Sequence, residues 1–315
     1  MQSVVLDFVL ATLLPIYLVM GLGYVLRVSG ALSAEFLRDS ARLVFNFAAP
    51  ATLFFALAGA ARSEVIAPAF LFISMGLLVG LTLLSWALAP LLVRERAERG
   101  VFVQGASRGN LLVSGLAFTH GVYGMEGIAL ASLPLGLYII FNNVYSVAIL
   151  KRYAEDGNRS LRQYWREVFK NPVIVAVLAG ALAGWLAVDI PVSLKNTGEL
   201  LGRLTVPLIL FNVGASFDFK LLRGPNVVVW SATLFKCVLM PIIGVGIAWV
   251  MGLKGMELGI IFLLLSSPTS SISVVFAQMF GGRVGLAANM VLISSLLSMV
   301  TVAAGLVFLQ TRGMI

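Results

Sequence analysis

The chain has 315 residues, of which 60% are hydrophobic and only 11% are charged. Soluble domains average about 45–50% apolar and about 25% charged residues, so this chain has too few polar side chains to cover a water-exposed surface. The composition excludes an ordinary soluble protein and indicates that the surrounding solvent is largely lipid. The formal net charge of +8 requires no nucleic-acid partner, because basic loops are normal in membrane proteins.

Ten apolar segments are long enough to cross a bilayer as helices, since a span needs about 20 mostly apolar residues. In chain order they cover residues 8–27, 42–61, 66–93, 100–120, 127–150, 172–189, 197–217, 226–252, 257–280 and 285–310. Most connections are short and leave no room for a soluble domain. The sequence therefore predicts an all-α integral membrane protein with ten spans, numbered 1 to 10 below.

The basic residues of the loops predict the orientation. One side of the predicted spans carries most of them, and the other side carries only Arg62, Lys195, Lys254 and Arg312. The richer side includes the basic loop 156–171 between spans 5 and 6. Because cytoplasmic loops are enriched in Lys and Arg, this side is predicted to be cytoplasmic. Both termini are then outside, in a multi-pass protein of the inner (plasma) membrane with anionic lipid headgroups as neighbours.

Two halves of the chain resemble one another. The segment 43–60 aligns with 201–217, which pairs Pro50 with Pro207, and "GASRGNLLVSG" (105–115) aligns with "LLSSPTSSISV" (264–274). The two offsets are nearly equal and correspond to five spans. An odd number of spans turns the second half upside down in the membrane, so residues 1–155 and 172–315 are predicted to form two inverted five-helix repeats.

A polar interruption in span 9 raises the question of function. The stretch "FLLLSSPTSSISVVFAQ" (262–278) places Pro268 among six hydroxyl residues, inside an otherwise apolar helix. In inverted-repeat transporters one span of each half is broken at mid-membrane, and its freed backbone groups face protein or a water-filled cavity. Span 4 carries glycines around Asn110 at the matching place. The structural alternative is a proline kink whose freed carbonyls are satisfied by Ser and Thr.

The motifs together resemble the auxin efflux carrier family, the bacterial relatives of plant PIN proteins. The resemblance covers nearly the whole chain and rests on "GYVLRVSGALSAEFLRDSARLVFNFAAPATLFFALA" (23–58), "SRGNLLVSGLA" (107–117), "LTVPLILFNVGASF" (204–217), "KCVLMP" (236–241) and "SSPTSSISVVFAQMFGG" (266–282). One position departs from the family pattern: Ala117 stands where span 4 usually carries a proline.

The resemblance implies a fold and a function. Spans 1, 2, 6 and 7 would form a scaffold domain and the contact of a homodimer, while spans 3–5 and 8–10 would form a transport domain. Spans 4 and 9 would be broken and cross in that domain, as in sodium/proton antiporters and bile-acid symporters. The substrates of the family are organic anions, such as auxin-like weak acids and dicarboxylates.

The charged residues of the spans agree with an anionic substrate. No carboxylate lies deep in a predicted span, whereas Arg108 and Lys236 do, and ionisable groups in lipid cost at least ~2.5 kcal/mol each. Lys236 is expected to donate to freed carbonyls or to replace a bound cation, and Pro50 and Pro207 to serve structure or coupling. The candidate substrate-binding residues are Arg108, Asn110, Ser114, Asn142, Pro268, Thr269, Ser270 and Ser271. No metal site is predicted, because no Cys/His cluster occurs.

Three classes of function fit a chain of this kind. The first is a secondary transporter of a small organic anion, coupled to protons, sodium or the membrane potential. The second is an anion channel or uniport pore, which flux saturation and counterflow would distinguish from a transporter. The third is an intramembrane enzyme or sensor, for which the sequence offers no catalytic motif, so no enzymatic activity and no cofactor are predicted.

Overall fold

The computed structural model describes residues 14–59, 67–153, 172–215, 227–280 and 282–315, and within these ranges the chain is helical and has no strand. The helices are α1 (Leu14–Val28), α2 (Ala34–Leu43), α3 (Ala49–Gly59), α4 (Pro68–Leu92), α5 (Arg96–Ser107), α6 (Leu116–Tyr153), α7 (Pro172–Trp185), α8 (Val192–Ala215), α9 (Val227–Leu234), α10 (Met240–Val250), α11 (Gly255–Ser266), α12 (Ile272–Met279) and α13 (Val284–Thr311). There are three π-helical turns. Val44–Ala48 joins α2 to α3, Leu111–Gly115 precedes α6, and Phe235–Leu239 joins α9 to α10. The basic loop 156–171 lies outside the described residues, as do the predicted span residues 8–13, 60–61, 66, 216–217 and 226.

Five continuous helical segments have the length and apolar composition of membrane spans: Ala34–Ala58, Pro68–Leu92, Leu111–Tyr153, Val227–Val250 and Val284–Thr311. Shorter apolar helices cover Tyr17–Val28, Pro172–Trp185 and Gly255–Ser266. The segment Leu111–Tyr153 joins two predicted spans across a kink at Gly124, whose φ of 60° is left-handed and suits a residue without a Cβ. An all-α multi-pass membrane protein is confirmed, and the count of ten crossings stays a prediction.

Prolines shape two of these long segments. Pro50 and Pro241 each lie two residues after a π-helical turn, in α3 and α10. A proline has no N–H for the carbonyl four residues earlier and its ring collides with that carbonyl, so a wider turn relieves the crowding. Pro207 differs, because it lies inside the continuous helix α8.

Contacts divide the chain into two compact units. Unit 1 comprises Met1–Leu71, Leu112–Leu137 and Tyr164–Phe217, and unit 2 comprises Phe72–Leu111, Tyr138–Gln163 and Asp218–Ile315. Unit 1 thus includes residues 112–137, which belong to predicted spans 4 and 5 and were expected to lie in the transport domain. The assignment of a scaffold and a transport domain stays a prediction.

Glycines bring the helices of unit 1 into close contact. A Cβ on Gly23 in α1 would lie 2.2 Å from the carbonyl oxygen of Phe211 in α8, and one on Gly214 would lie 1.7 Å from that of Met20. The helices α3 and α7 approach in the same way, because Gly180 and Gly184 face backbone carbonyls of α3. In lipid, where apolar burial does not drive helices together, such close packing is a main source of association energy.

Two glycines of α1 offer a matched test of this packing. We expect Gly23→Ala to destabilise the protein by about 1–3 kcal/mol, because the new methyl meets backbone that has no room to shift. Gly21→Ala, two residues away, meets nothing within 4 Å and should leave the stability equal or slightly higher, since alanine favours helix. Thermal unfolding of both variants in the same detergent measures the difference. Equal melting temperatures would contradict the packing assigned to α1 and α8.

Unit 2 encloses two short helices. All residues of α5 from Gly100 to Ser107 are buried, as are all residues of α11 from Leu258 to Ser266. Arg283, the residue before α13, forms ion pairs with Glu95, the residue before α5, and with Glu98 in the first turn of α5. A short helix buried on all sides needs protein partners for the backbone groups at its ends.

Candidate functional site

The helices α5 and α11 both end in the interior of unit 2. After each of them the chain continues through a short non-helical segment. Residues 108–110 separate α5 from the π-helical turn Leu111–Gly115, and residues 267–271 separate α11 from α12. Pro268 explains the second break, because a residue before proline is forced into an extended conformation. Ser267 has that conformation, with φ −55° and ψ 132°.

The two breaks pair with each other through their backbones. The N–H of Asn110 donates to the carbonyl of Pro268 at 2.7 Å, and the N–H of Ser270 donates to the carbonyl of Arg108 at 3.0 Å. These bonds make Gly109 and Thr269 an isolated antiparallel β-bridge. We call this paired segment, residues 108–110 with 268–270, the crossing. This geometry agrees with the expectation that spans 4 and 9 are broken and cross each other.

Position 109 leaves little room for a side chain. A Cβ there would lie 3.2 Å from a side-chain carbon of Leu111 and 3.3 Å from Nζ of Lys236. Both distances are tighter than an ordinary van der Waals contact. The first break therefore occurs at a glycine instead of a proline, which fits the alanine at position 117.

Side chains satisfy the backbone groups that the breaks set free. The hydroxyl of Thr269 donates to the carbonyl of Gly105 at 2.7 Å, and the hydroxyl of Ser267 donates to that of Leu263 at 3.0 Å. The N–H of Thr269 in turn donates to Oγ of Ser294 in α13 at 2.9 Å. These bonds replace the helical hydrogen bonds that lipid could not supply.

Lys236 places a positive charge at the ends of two half-helices. Its side chain is buried, and Nζ donates to the carbonyl of Leu265, one residue before α11 ends, at 2.9 Å. The same Nζ lies close to Gly109, just beyond the end of α5. Within the described parts of the chain, no carboxylate lies within 4 Å of this ammonium group. Because the C-terminus of a helix carries roughly half a negative charge, the lysine compensates the α11 terminus directly.

Arg108 directs its guanidinium toward α6. Nη1 donates to the carbonyl of Asn142 at 3.1 Å and to Oγ of Ser146 at 2.9 Å, and Nη2 donates to Oδ1 of Asn143 at 2.7 Å. The guanidinium also lies over the ring of Phe276 in α12, 4.3 Å from its centroid. The residue thus ties α5, α6 and α12 together around one buried positive charge.

The N-terminal end of α12 is open. Among the residues after Pro268, the N–H groups of Thr269, Ser270, Ser273 and Val274 already have acceptors. The N–H groups of Ser271 and Ile272 make no hydrogen bond to a described residue, and both residues are exposed. The backbone N–H groups left for a ligand at this helix start are therefore those of Ser271 and Ile272.

Several buried polar atoms in unit 2 have no hydrogen-bond partner among the described residues. They include both terminal atoms of Gln104, Oδ1 of Asn142, and the hydroxyls of Ser266 and Ser273. An unpartnered buried polar group costs about 1–3 kcal/mol, so such groups bind water or a ligand when one has access. Gln104 and Ser273 were missed as candidates, although a glutamine inside a buried helix is a signal that sequence alone provides.

Most of the predicted site residues lie at or beside the crossing. Arg108, Asn110, Pro268, Thr269 and Ser270 form it, Asn142 and Lys236 contact it, and Ser271 begins the open end of α12. Ser114 does not join this group: it is buried in the π-helical turn Leu111–Gly115, belongs to unit 1 and takes no part in the hydrogen bonds of the crossing. Pro50 and Pro207 also belong to unit 1. The described residues contain no group of three His, Cys, Asp or Glu side chains that could hold a metal ion.

Comparison with known proteins gives a consistent family. A family described as "Membrane transport protein" matches residues 8–304. An uncharacterized transporter of Methanothermobacter thermautotrophicus is 28% identical over 92% of this chain and 95% of its own length. The uncharacterized transporter MJ1031 of Methanocaldococcus jannaschii is 23% identical over 89% and 92%, and YfdV of Escherichia coli K12, also an uncharacterized transporter, is 25% identical over 87% and 89%. The match spans nearly the whole chain, and the chain therefore belongs to the auxin efflux carrier family of membrane transport proteins.

Proposed function

We propose that this transporter is a secondary carrier of a small organic anion, which binds at the crossing and is released by alternating access. One observation carries the proposal: the open end of α12 begins at Ser271, two residues after Thr269 of the β-bridge, and the N–H groups of Ser271 and Ile272 are not bonded to described residues. A helix N-terminus carries roughly half a positive charge and its N–H groups are ready donors for a carboxylate. Asn110, only partly buried, adds an amide on the other side of the bridge.

The charges of unit 2 support an anion over a cation. Arg108 and Lys236 are buried there. Of the described carboxylates, Glu98 alone is buried, and it is ion-paired with Arg283. A bound inorganic cation would meet two buried positive charges, whereas a carboxylate is attracted by both.

The proposal extends to the architecture around the crossing. Ten spans in two inverted repeats would bring the crossing to mid-membrane, with both termini outside the cytoplasm. The breaks in α5–α6 and α11–α12 support this, because they occur at matching places in the two halves. In a Cys237→Ser background, Gly313→Cys should react with an impermeant thiol reagent added outside sealed cells and Gly157→Cys should not. Labelling of Gly157→Cys would overturn the orientation.

Spans 1, 2, 6 and 7 would serve as scaffold and as the contact of a homodimer, and the unit with the crossing would carry the substrate. Measuring the flux under an imposed proton gradient, sodium gradient or membrane potential identifies which of the three is coupled to transport. Light scattering of the purified protein in detergent measures the oligomeric state, and a mass of one chain would reject the dimer.

A channel or uniport pore is the competing function, and counterflow separates it from a carrier. Proteoliposomes loaded with a high concentration of unlabelled organic acid should transiently accumulate the labelled acid from outside, because a carrier exchanges its substrate. The initial rate should saturate with concentration. Linear flux without accumulation would favour the channel, and the absence of any flux for all acids tested would reject both.

A further inference from the structure

Three polar side chains of unit 2 with unpartnered buried atoms lie on α5, α6 and α12, the three helices that meet at the guanidinium of Arg108. They belong to Gln104 in α5, Asn142 in α6 and Ser273 in α12, and each residue is at most 3% exposed. None of these atoms has a hydrogen-bond partner among the described residues. We call these three the polar shell. Each buried polar group without a partner calls for an explanation, such as a bound water or a ligand.

Helix geometry places the shell in one region. On α5, Gly100 faces Ile149 and Leu150, and Arg108 binds Asn142 and Ser146. Gln104 lies four residues from both Gly100 and Arg108. Residues spaced by four share one face of a helix, so Gln104 lies on the stripe of α5 that faces the second half of α6.

The third member reaches the same region from α12. Ser273 lies three residues before Phe276, whose ring contacts the guanidinium of Arg108, and residues spaced by three are neighbours on a helix surface. The backbone carbonyl of Asn142 accepts a hydrogen bond from Arg108, so the Asn142 side chain also lies in this region. Each member of the polar shell is therefore within about one helical turn, roughly 5.4 Å along the axis, of a group that touches Arg108.

The missing partners define what would fit. Oε1 of Gln104 and Oδ1 of Asn142 both need a donor, Nε2 of Gln104 needs an acceptor, and the Ser273 hydroxyl serves either way. Because both terminal atoms of Gln104 lack partners, this need is the same for either orientation of the amide. A carboxylate alone offers only acceptors and leaves the two amide oxygens unsatisfied. A hydroxyl group donates to one of these oxygens and also accepts from Nε2 of Gln104, whereas an ammonium group would bring a second cation beside Arg108.

From these needs we infer that the polar shell of Gln104, Asn142 and Ser273 recognises a hydroxyl group on the transported anion, so that the preferred substrates are small hydroxylated carboxylates. This inference rests on the proposed function. The crossing attracts the carboxylate, and the polar shell selects among carboxylates by the hydroxyl. Sites that hydrogen-bond a substrate hydroxyl discriminate strongly against the analogue that lacks it, because their buried groups are then left unpaired.

Matched acids and matched variants test the inference. Three pairs of acids differ only in a hydroxyl group: glycolate with acetate, lactate with propionate, and 2-hydroxybutyrate with butyrate. Calorimetry on purified protein measures Kd for each acid. We expect the hydroxylated member of at least one pair to bind about tenfold to a hundredfold more tightly than its partner. Gln104→Met and Ser273→Ala should each reduce that ratio several-fold, through weaker binding of the hydroxy acid. Ser298→Ala is the control, because Ser298 is a buried serine of the same unit whose hydroxyl already donates to the carbonyl of Ser295.

Each outcome decides between alternatives. A purely structural role of the shell would weaken both acids of a pair equally and leave the ratio unchanged, and this would overturn the inference. Equal Kd values within every pair for the wild type would also overturn it and would assign the shell to ordered water. In that case, counterflow of any of the acids would still support the proposed function. Should Gln104→Met fail to elute as monodisperse protein, Ser273→Ala gives the same ratio test.

Discussion

Lys236→Met is expected to destabilise the protein and to abolish transport. The substitution removes the donor to the carbonyl of Leu265 and leaves that acceptor buried, at a cost of about 1–3 kcal/mol. It also removes the positive charge at the α11 terminus, which contributes up to ~2 kcal/mol in a buried geometry. Removing the ammonium does relieve its burial, but it leaves the buried carbonyl of Leu265 without its donor. The melting temperature in detergent and counterflow in proteoliposomes measure the two effects.

The control for this variant lies at the other end of α11. Lys254 is exposed, is the residue before the first turn of α11 and makes no side-chain capping bond. A cation is unfavourable at a helix N-terminus, so Lys254→Met should leave stability unchanged or slightly higher. Lys236→Ala adds a second readout, since propylammonium in the buffer fills the space left by the lysine and should partly restore the melting temperature. A Lys236→Met protein as stable and active as the wild type would show that the crossing does not depend on this charge.

The second break was predictable from the sequence because its cause is local. Pro268 removes a donor and constrains the residue before it, and Ser267 adopts the extended conformation that this constraint demands. The match of the two halves also identified the partner segment, since 105–115 and 264–274 align. These features depend on residue type and spacing, which a single sequence displays.

The directions of side chains in the crossing could not be predicted in the same way. Arg108 was expected to offer its guanidinium to a carboxylate, whereas it binds Asn142, Asn143 and Ser146 of α6. That choice depends on the rotation of α5 about its axis, which the packing of Gly100 and other distant residues sets. The polar shell was missed for the same reason, because an unpartnered atom is recognised only after every neighbour is known.

The sequence also could not predict which backbone atoms form hydrogen bonds with each other at the crossing. Thr269 and Ser270 were predicted among the substrate-binding residues, but their backbone N–H groups already donate to Ser294 and Arg108. Ser294 lies in α13 and carries no signal that connects it with the break. The open donors belong instead to Ser271 and Ile272, because these residues come after the bridge and before the first bonded turn of α12.

Asn110→Ala and Ser270→Ala are each expected to weaken binding of the anionic substrate while the protein stays folded. Both side chains can be lost without breaking the bridge, because its hydrogen bonds run through the backbone N–H groups of these two residues. Each variant loses one potential hydrogen bond to a charged ligand, which costs about 1.5–3 kcal/mol, or roughly tenfold to a hundredfold in affinity. Calorimetry on monodisperse protein measures this loss against the wild type.

Arg108→Gln separates charge from hydrogen bonding at the same site. The amide keeps a donor and an acceptor but removes the buried positive charge, so affinity for an anion should fall more than affinity for its neutral amide or ester analogue. A long-range electrostatic role predicts this difference even though the guanidinium is engaged by α6, because a buried charge acts beyond its hydrogen-bond partners. An equal loss for both ligands would instead assign Arg108 to the packing of α5 against α6 and α12. Unchanged anion affinity in Asn110→Ala and Ser270→Ala together would place the binding site away from the crossing and leave the two broken helices as a structural feature of unit 2.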